Sequence, residues 1–283
     1  MSIKILTDSA ADILPSEAEE LGITVIPLIV TINGQDYKDV VEMSHDEYYK
    51  ILPTCKELPT TSQISPSTYE DYFGTMVEAG DTVIAITLSS RVSGTYQSAC
   101  IAAEEYDGKV LVVDSMNATV GQRVIVYRAV ELLKEGKSAE EIVEILNKEK
   151  DHVRLLAVID TLEYLKKSGR ISATTAFVGG VLNIKPVVAI VDGQVVMVGK
   201  ARGSKNGSNL LRKMIEEGPG VDFNKPYVIG YSGSSDRMLV DYVEDNADLW
   251  KTQIKEIPSC RVGAVIGTHV GPDGIAVAFF ENM

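Results

Sequence analysis

Three histidines, three cysteines and one tryptophan are all that 283 residues contain of those types, and 27 basic side chains face 40 acidic ones. Each shortage excludes something. Cys55, Cys100 and Cys260 lie far apart, form no C-x-x-C pair and leave an odd count. Neither a disulfide framework nor a zinc site is expected, and a reducing, cytoplasmic setting fits the chain. His45, His152 and His269 are scattered and do not make a metal site. The formal charge of −13 argues against a nucleic-acid surface, which needs clustered Lys and Arg. No apolar run approaches the roughly 18 residues of a membrane helix, and Asp8 comes too early for the apolar core of a secretion signal. Catalytic signatures are missing too. GYSGS lacks the final glycine of a nucleophile elbow, and there is no Walker loop, G-x-G-x-x-G or H-E-x-x-H.

What is present is an alternation of apolar runs and helical patterns. IKILTD, DTVIAITL and KVLVVDS read as strands and GITVIPLIVTI as extended chain, separated by helical segments such as SHDEYYKIL and SPSTYEDYFGTMVEAG. Ser44 and Glu47 have capping-box spacing, while Ser65 and Pro66 read as cap and first helical residue. This order implies βαβ units and a mostly parallel, Rossmann-like sheet flanked by helices. The second half carries the strand HVRLLAVID, the helix TLEYLKKSG and a small-residue stretch ISATTAFVGGVL expected to be helical. It also carries a hairpin turning at Asp192-Gly193. The expected architecture is α/β in two domains, residues 1–155 and 156–283.

Two hydroxyl clusters stand out. Thr87 to Ala99, TLSSRVSGTYQSA, holds six small serine and threonine hydroxyls and a glycine between a strand and a helix, and PTTSQIS precedes another helix. Ser93 reads as a helix cap, and the same geometry suits an anion, because free N–H groups and the helix dipole favour carboxylate or phosphate. Gly94 lets a ligand approach the backbone. His269 sits in the glycine-rich IGTHVGPDG, read as an accessible turn. His45 and His152 read as surface residues. Lys166, Lys167, Arg170, Lys200, Arg202 and Lys205 concentrate positive charge in an acidic chain, as a dock for phosphate or an acidic partner would.

Taken in order, TDSAADI, TTSQISP, SSRVSGTYQSA, VVDS, DTLEYLKKSGRIS, GVLNIKPVV and GTHVGPDGIAVAFF resemble the DegV family from Thr7 to Phe280. The chain departs from the pattern at Arg91 and in MNATVGQ, where a further glycine is usual. The resemblance implies a lipid-binding protein without catalytic residues, metal or cofactor, holding one long-chain fatty acid such as palmitate, stearate or oleate between its domains. Thr61, Ser62, Ser93, Gly94 and His269 match the positions around the carboxylate. Arg170 and Arg202 match positions facing a partner or phosphate. In some relatives that partner is a fatty acid kinase subunit, whose acyl phosphate feeds phospholipid synthesis. Two other readings remain open: a serine esterase using Ser93 and His269, and a binder of phosphorylated metabolites at Ser65 or Ser93.

Overall fold

Capped helices and β-branched runs alternate through the first half, and each cap closes on its neighbour as its sequence demands. Ser44 and Ser138 form complete capping boxes with Glu47 and Glu141, and Ser65 accepts the Thr68 N–H. The computed structural model describes residues 2–171, 183–250 and 257–283. The chain runs β1 (Ile3–Asp8), α1 (Pro15–Leu21), β2 (Thr24–Ile26), β3 (Ile29–Ile32), β4 (Gln35–Lys38), α2 (His45–Ile51) and β5 (Thr60–Ser62). Next come α3 (Pro66–Glu78), β6 (Thr82–Thr87), α4 (Thr95–Ala103), β7 (Val110–Asp114), α5 (Thr119–Lys134) and α6 (Ala139–Glu149). The second half contains β8 (Val153–Val158), α7 (Glu163–Lys167), β9 (Ile184–Val191), β10 (Gln194–Arg202), α8 (Ser204–Glu216) and β11 (Tyr227–Ser232). It closes with α9 (Arg237–Asp245), α10 (Ala247–Trp250), β12 (Ser259–Arg261), α11 (Ala264–Val270) and β13 (Gly274–Phe280).

Three sheets result. The first is parallel, ordered β2-β1-β6-β7, as the βαβ pattern requires. A small antiparallel sheet, β4-β3-β5, arises because GITVIPLIVTI is not one strand: Pro27 and Leu28 interrupt it, sending β2 and β3 to different sheets. The third has the order β10-β9-β8-β13-β11-β12 and is antiparallel except between β11 and β12. Its β9–β10 hairpin turns at Asp192 (φ 48°) and Gly193 (φ 76°), both left-handed, as a two-residue primed turn needs. From residue 172 to 182 the stretch expected to be helical lies outside the described residues.

Helix α5 joins the two halves. Thr119 to Val126 are all buried, and α5 packs against β1 and β6 on one side and β8, β11 and β13 on the other. Its buried polar members are satisfied there: Gln122 donates to the Thr7 hydroxyl, and Arg123 to the Asp12 carbonyl and Glu17. The central cluster accordingly mixes Ile5, Ile84 and Val113 with Leu155, Val188 and Val228. A second cluster lies under the small sheet with α2, α3 and α11. A third covers the far face of the six-stranded sheet around Trp250 and Tyr242.

Candidate functional site

The hydroxyl loop after β6 is shaped by carboxylates at the C-terminal ends of neighbouring strands. Asp8 accepts the Leu88 N–H at 2.8 Å, and Asp114 accepts the Met116 N–H at 2.9 Å and the Ser90 N–H at 3.2 Å. The six hydroxyls then divide their work. Thr87 is buried. Ser89 donates to the Gly193 carbonyl at 2.8 Å, tying the loop to the β9–β10 turn. Ser98 accepts from Gln63 Nε2 at 3.0 Å. Ser93 and Thr95 share a 2.9 Å bond, and Ser93 also accepts the Thr95 N–H. The residue in the cap position of α4 is Gly94, not Ser93. Ser93, one residue earlier, takes the first N–H of α4 and also faces inward. Of the six, only Ser93 lines the cavity described below.

The second cluster arrives on β5, where Thr61 pairs with Val30 of β3. Its side chain shares a 2.9 Å hydrogen bond with His269 Nε2. His269 does not lie in a turn. It sits in the last turn of α11, which Gly271 ends. Helix forms there because Gly267, read as a turn residue, lets α2 approach: a Cβ on it would stand 2.8 Å from the Tyr49 hydroxyl and 3.0 Å from Tyr48 Cε1. Burial first, and then the Arg170 charge, push the His269 imidazole down to about 4. The ring is therefore neutral near pH 7, with Nδ1 lacking a hydrogen-bond partner among the described residues.

Gln63, which the sequence reading passed over, links the clusters. Its Oε1 lies 2.1 Å from where a Cβ on Gly94 would stand. The glycine is required for that crossing rather than for its dihedrals. Thr119 was also missed. Held at φ 48°, it donates its hydroxyl to Asp12 at 2.6 Å. Neither residue carries a local signal, since both are brought in by chain segments distant in sequence.

These residues surround one cavity of about 420 Å³, within the ordinary size range of small-molecule sites. Thr61, Ser62, Ser93, Gly94, His269 and Arg170 all line it. Arg202 does not: it is exposed at the end of β10. Arg170 is the one lining residue, among those described, with a permanent charge, and that charge is positive. The floor comes from the six-stranded sheet. Gly230, Ala276, Ala157 and Val188 are successive cross-strand partners, all on the cavity wall. Two alanines and a glycine in that row leave a trough between the sheet and α11. Leu155, Ile159, Leu165, Val265 and Ile266 supply apolar walls.

The geometry does not assemble a serine-esterase triad. His269 Nε2 is engaged by Thr61, Ser93 Oγ by Thr95, and no acidic group orients Nδ1 among the described residues. Nor, among those residues, does any group of three His, Cys, Asp or Glu side chains suit a metal. His45, read as a surface residue, is buried at 8% exposure. It opens α2 on the side that faces Gly263, and burial holds its imidazole down to about 4.

The DegV family model, described as an uncharacterised protein, matches residues 2–282. The chain belongs to the DegV family. A DegV domain-containing protein of Caldanaerobacter subterraneus subsp. tengcongensis is 37% identical, with 99% of each chain covered. Among DegV structures, one from Thermus thermophilus described for its fatty acid binding superposes with a TM-score of 0.87 at 32% identity, covering 100% of both chains. A stearic acid-binding protein from Eubacterium ventriosum superposes at 0.86 with 27% identity, covering 99% of this chain and 98% of that one. No helix among the described residues is long and apolar enough to cross a membrane.

Proposed function

We propose that this DegV protein binds one long-chain fatty acid, such as palmitate, stearate or oleate, in the cavity between its halves. The carboxylate is held by the Thr61 and Ser93 hydroxyls, with Ser62, the Gly94 backbone and His269 beside them. The observation that carries this reading is the cavity's division: hydroxyls, a neutral histidine and one arginine on some walls, and apolar side chains over a floor of small residues on the others. The fatty acids bound by its structural relatives support it.

Energetics assign the two parts different work. Burying about 14 methylenes at about 0.8 kcal/mol each is worth on the order of 11 kcal/mol. Each hydrogen bond to a charged group contributes about 1.5–3 kcal/mol. The apolar walls supply grip, and the hydroxyls fix which end points outward. Uncharged donors hold a carboxylate without attacking it, because neither serine nor threonine is paired with an oriented base. We take residues 1–155 and 156–283 as the two domains that enclose the ligand. We assign Arg170 and Arg202 to the approach of a fatty acid kinase subunit that would phosphorylate the exposed carboxylate for phospholipid synthesis.

Denaturing extraction and mass spectrometry of protein purified from a lipid-containing host tests the reading. A long-chain fatty acid in equimolar amount is the expected result. Protein that is repeatedly empty and fails to bind added palmitate or oleate would overturn it.

A further inference from the structure

The wall of the cavity that carries His269 is α11, and the start of that helix is held from outside it. Asp12, just after β1, accepts the Gly263 N–H at 2.8 Å, and Asp39, just after β4, accepts the Ala264 N–H at 3.2 Å. Each of these carboxyl residues is 1% exposed. The other oxygen of Asp12 takes the Thr119 hydroxyl. Both anchor points involve unfavourable backbone. Val40, next to Asp39, has φ 57°, and Thr119 has φ 48°, in a region that β-branched residues avoid. Local sequence does not select those conformations, so the surrounding packing imposes them.

A third buried group closes on the same point. His45 Nε2 and Asp39 Oδ2 have no hydrogen-bond partner among the described residues. A methyl group on Gly263 would stand 3.0 Å from His45 Nε2, 3.1 Å from Asp12 Oδ1 and 3.5 Å from Asp39 Oδ1. Only a glycine leaves this junction undisturbed.

Helix α11 has 7 residues, far fewer than the roughly 12–15 that sustain an isolated helix. Its register must come from tertiary contacts. His269 lies six residues beyond Gly263, roughly 9 Å along the axis, so a shift at the first turn is carried to the Thr61 contact. The geometry points to Asp12 and Asp39 as positioning residues for the carboxylate end of the site: they fix the first turn of α11, and with it His269 against Thr61. This rests on the fatty-acid reading above.

The test compares affinities for palmitate and methyl palmitate, with folding checked by circular dichroism. Asp12→Ala and Asp39→Ala lower palmitate affinity at least about tenfold while methyl palmitate changes less than about twofold. Asp12→Asn and Asp39→Asn, which keep an acceptor oxygen, restore palmitate. Folded alanine variants that retain the acid preference, or lose both ligands equally, overturn the inference. If the alanine variants fail to fold, Gly263→Ala carries the test, since it keeps both carboxyls and wedges a methyl between them. The same selective loss is expected, and an unchanged preference overturns the inference. Wild-type protein that binds neither lipid overturns the fatty-acid reading, and this inference with it.

Discussion

Thr61 and His269 stand 208 positions apart and share a 2.9 Å hydrogen bond. The contact joins the small antiparallel sheet to α11, while the two hydroxyl clusters meet separately, where Gln63 crosses Gly94 and donates to Ser98. Replacing Thr61 by Val removes the bond but nearly preserves the shape. We expect palmitate affinity to fall about tenfold, the cost of one hydrogen bond to a charged group. Methyl palmitate should bind unchanged in the same titration. Equal loss of both ligands would place the effect on packing instead.

Neutrality of His269 has its own signature. With burial holding the imidazole down to about 4, its ring resonances should stay constant between pH 8 and 5 in an NMR titration of the free protein. Palmitate affinity should likewise show no step from this group over that range. A transition near pH 6.5 assigned to His269 would contradict the burial seen here.

Asp12 sets a pH dependence of stability that can be isolated by difference. Burial pushes its carboxyl up to about 7, opposed by hydrogen bonds from Thr119 and Gly263, raised further by Asp39 and lowered by Arg123. Between the ordinary carboxylate range and pH 7 the folded chain therefore holds a proton that the unfolded chain releases. The resulting stabilisation is complete below pH 4 and is lost as pH rises through about 7. In urea unfolding, the stability of wild type relative to Asp12→Asn should drop by on the order of 1–3 kcal/mol from pH 5 to pH 8. A rising difference would show the opposite linkage.

At the hairpin turn, Gly193→Ala combines a left-handed residue (φ 76°) with a methyl 2.5 Å from Ser89 Oγ. A loss of about 1–3 kcal/mol is expected on chemical denaturation. Ser89→Ala, which removes the bond to the Gly193 carbonyl and the one accepted from the Arg91 N–H but adds no strain, should cost less. The reverse order would mean that the turn tolerates the strain.

The trough in the six-stranded sheet makes a prediction about chain length. Ala276 lies between Gly230 and Ala157 in the floor row. Ala276→Leu fills that space while leaving Thr61, Ser93 and His269 untouched. Co-purified lipid should shift to shorter acyl chains by mass spectrometry, and an unchanged profile would move the acyl path elsewhere.

Local chemistry made much of this legible. The capping box at Ser44, the Ser65 cap and the Asp192-Gly193 turn follow from short-range geometry, so the residues announce them. The family motifs reached Thr61, Ser62, Ser93, Gly94 and Arg170, which line one cavity. What stayed hidden is long-range. Gly267 looks like a turn residue until two tyrosines are packed on it, and His45 looks exposed until α11 covers it. Asp12 and Asp39 carry no sign of facing the same helix. The split of GITVIPLIVTI between two sheets depends on partners elsewhere in the chain.

Because α5 is wrapped by strands from both the parallel and the antiparallel sheet, the two proposed domains share one core and neither is a portable module. A fragment ending at Lys150 would leave Leu155, Val228 and Ala278 behind and bare the flank of α5 they cover. Such a piece is expected to expose that apolar surface and to fail to fold on its own. The intact chain should instead melt in one cooperative step.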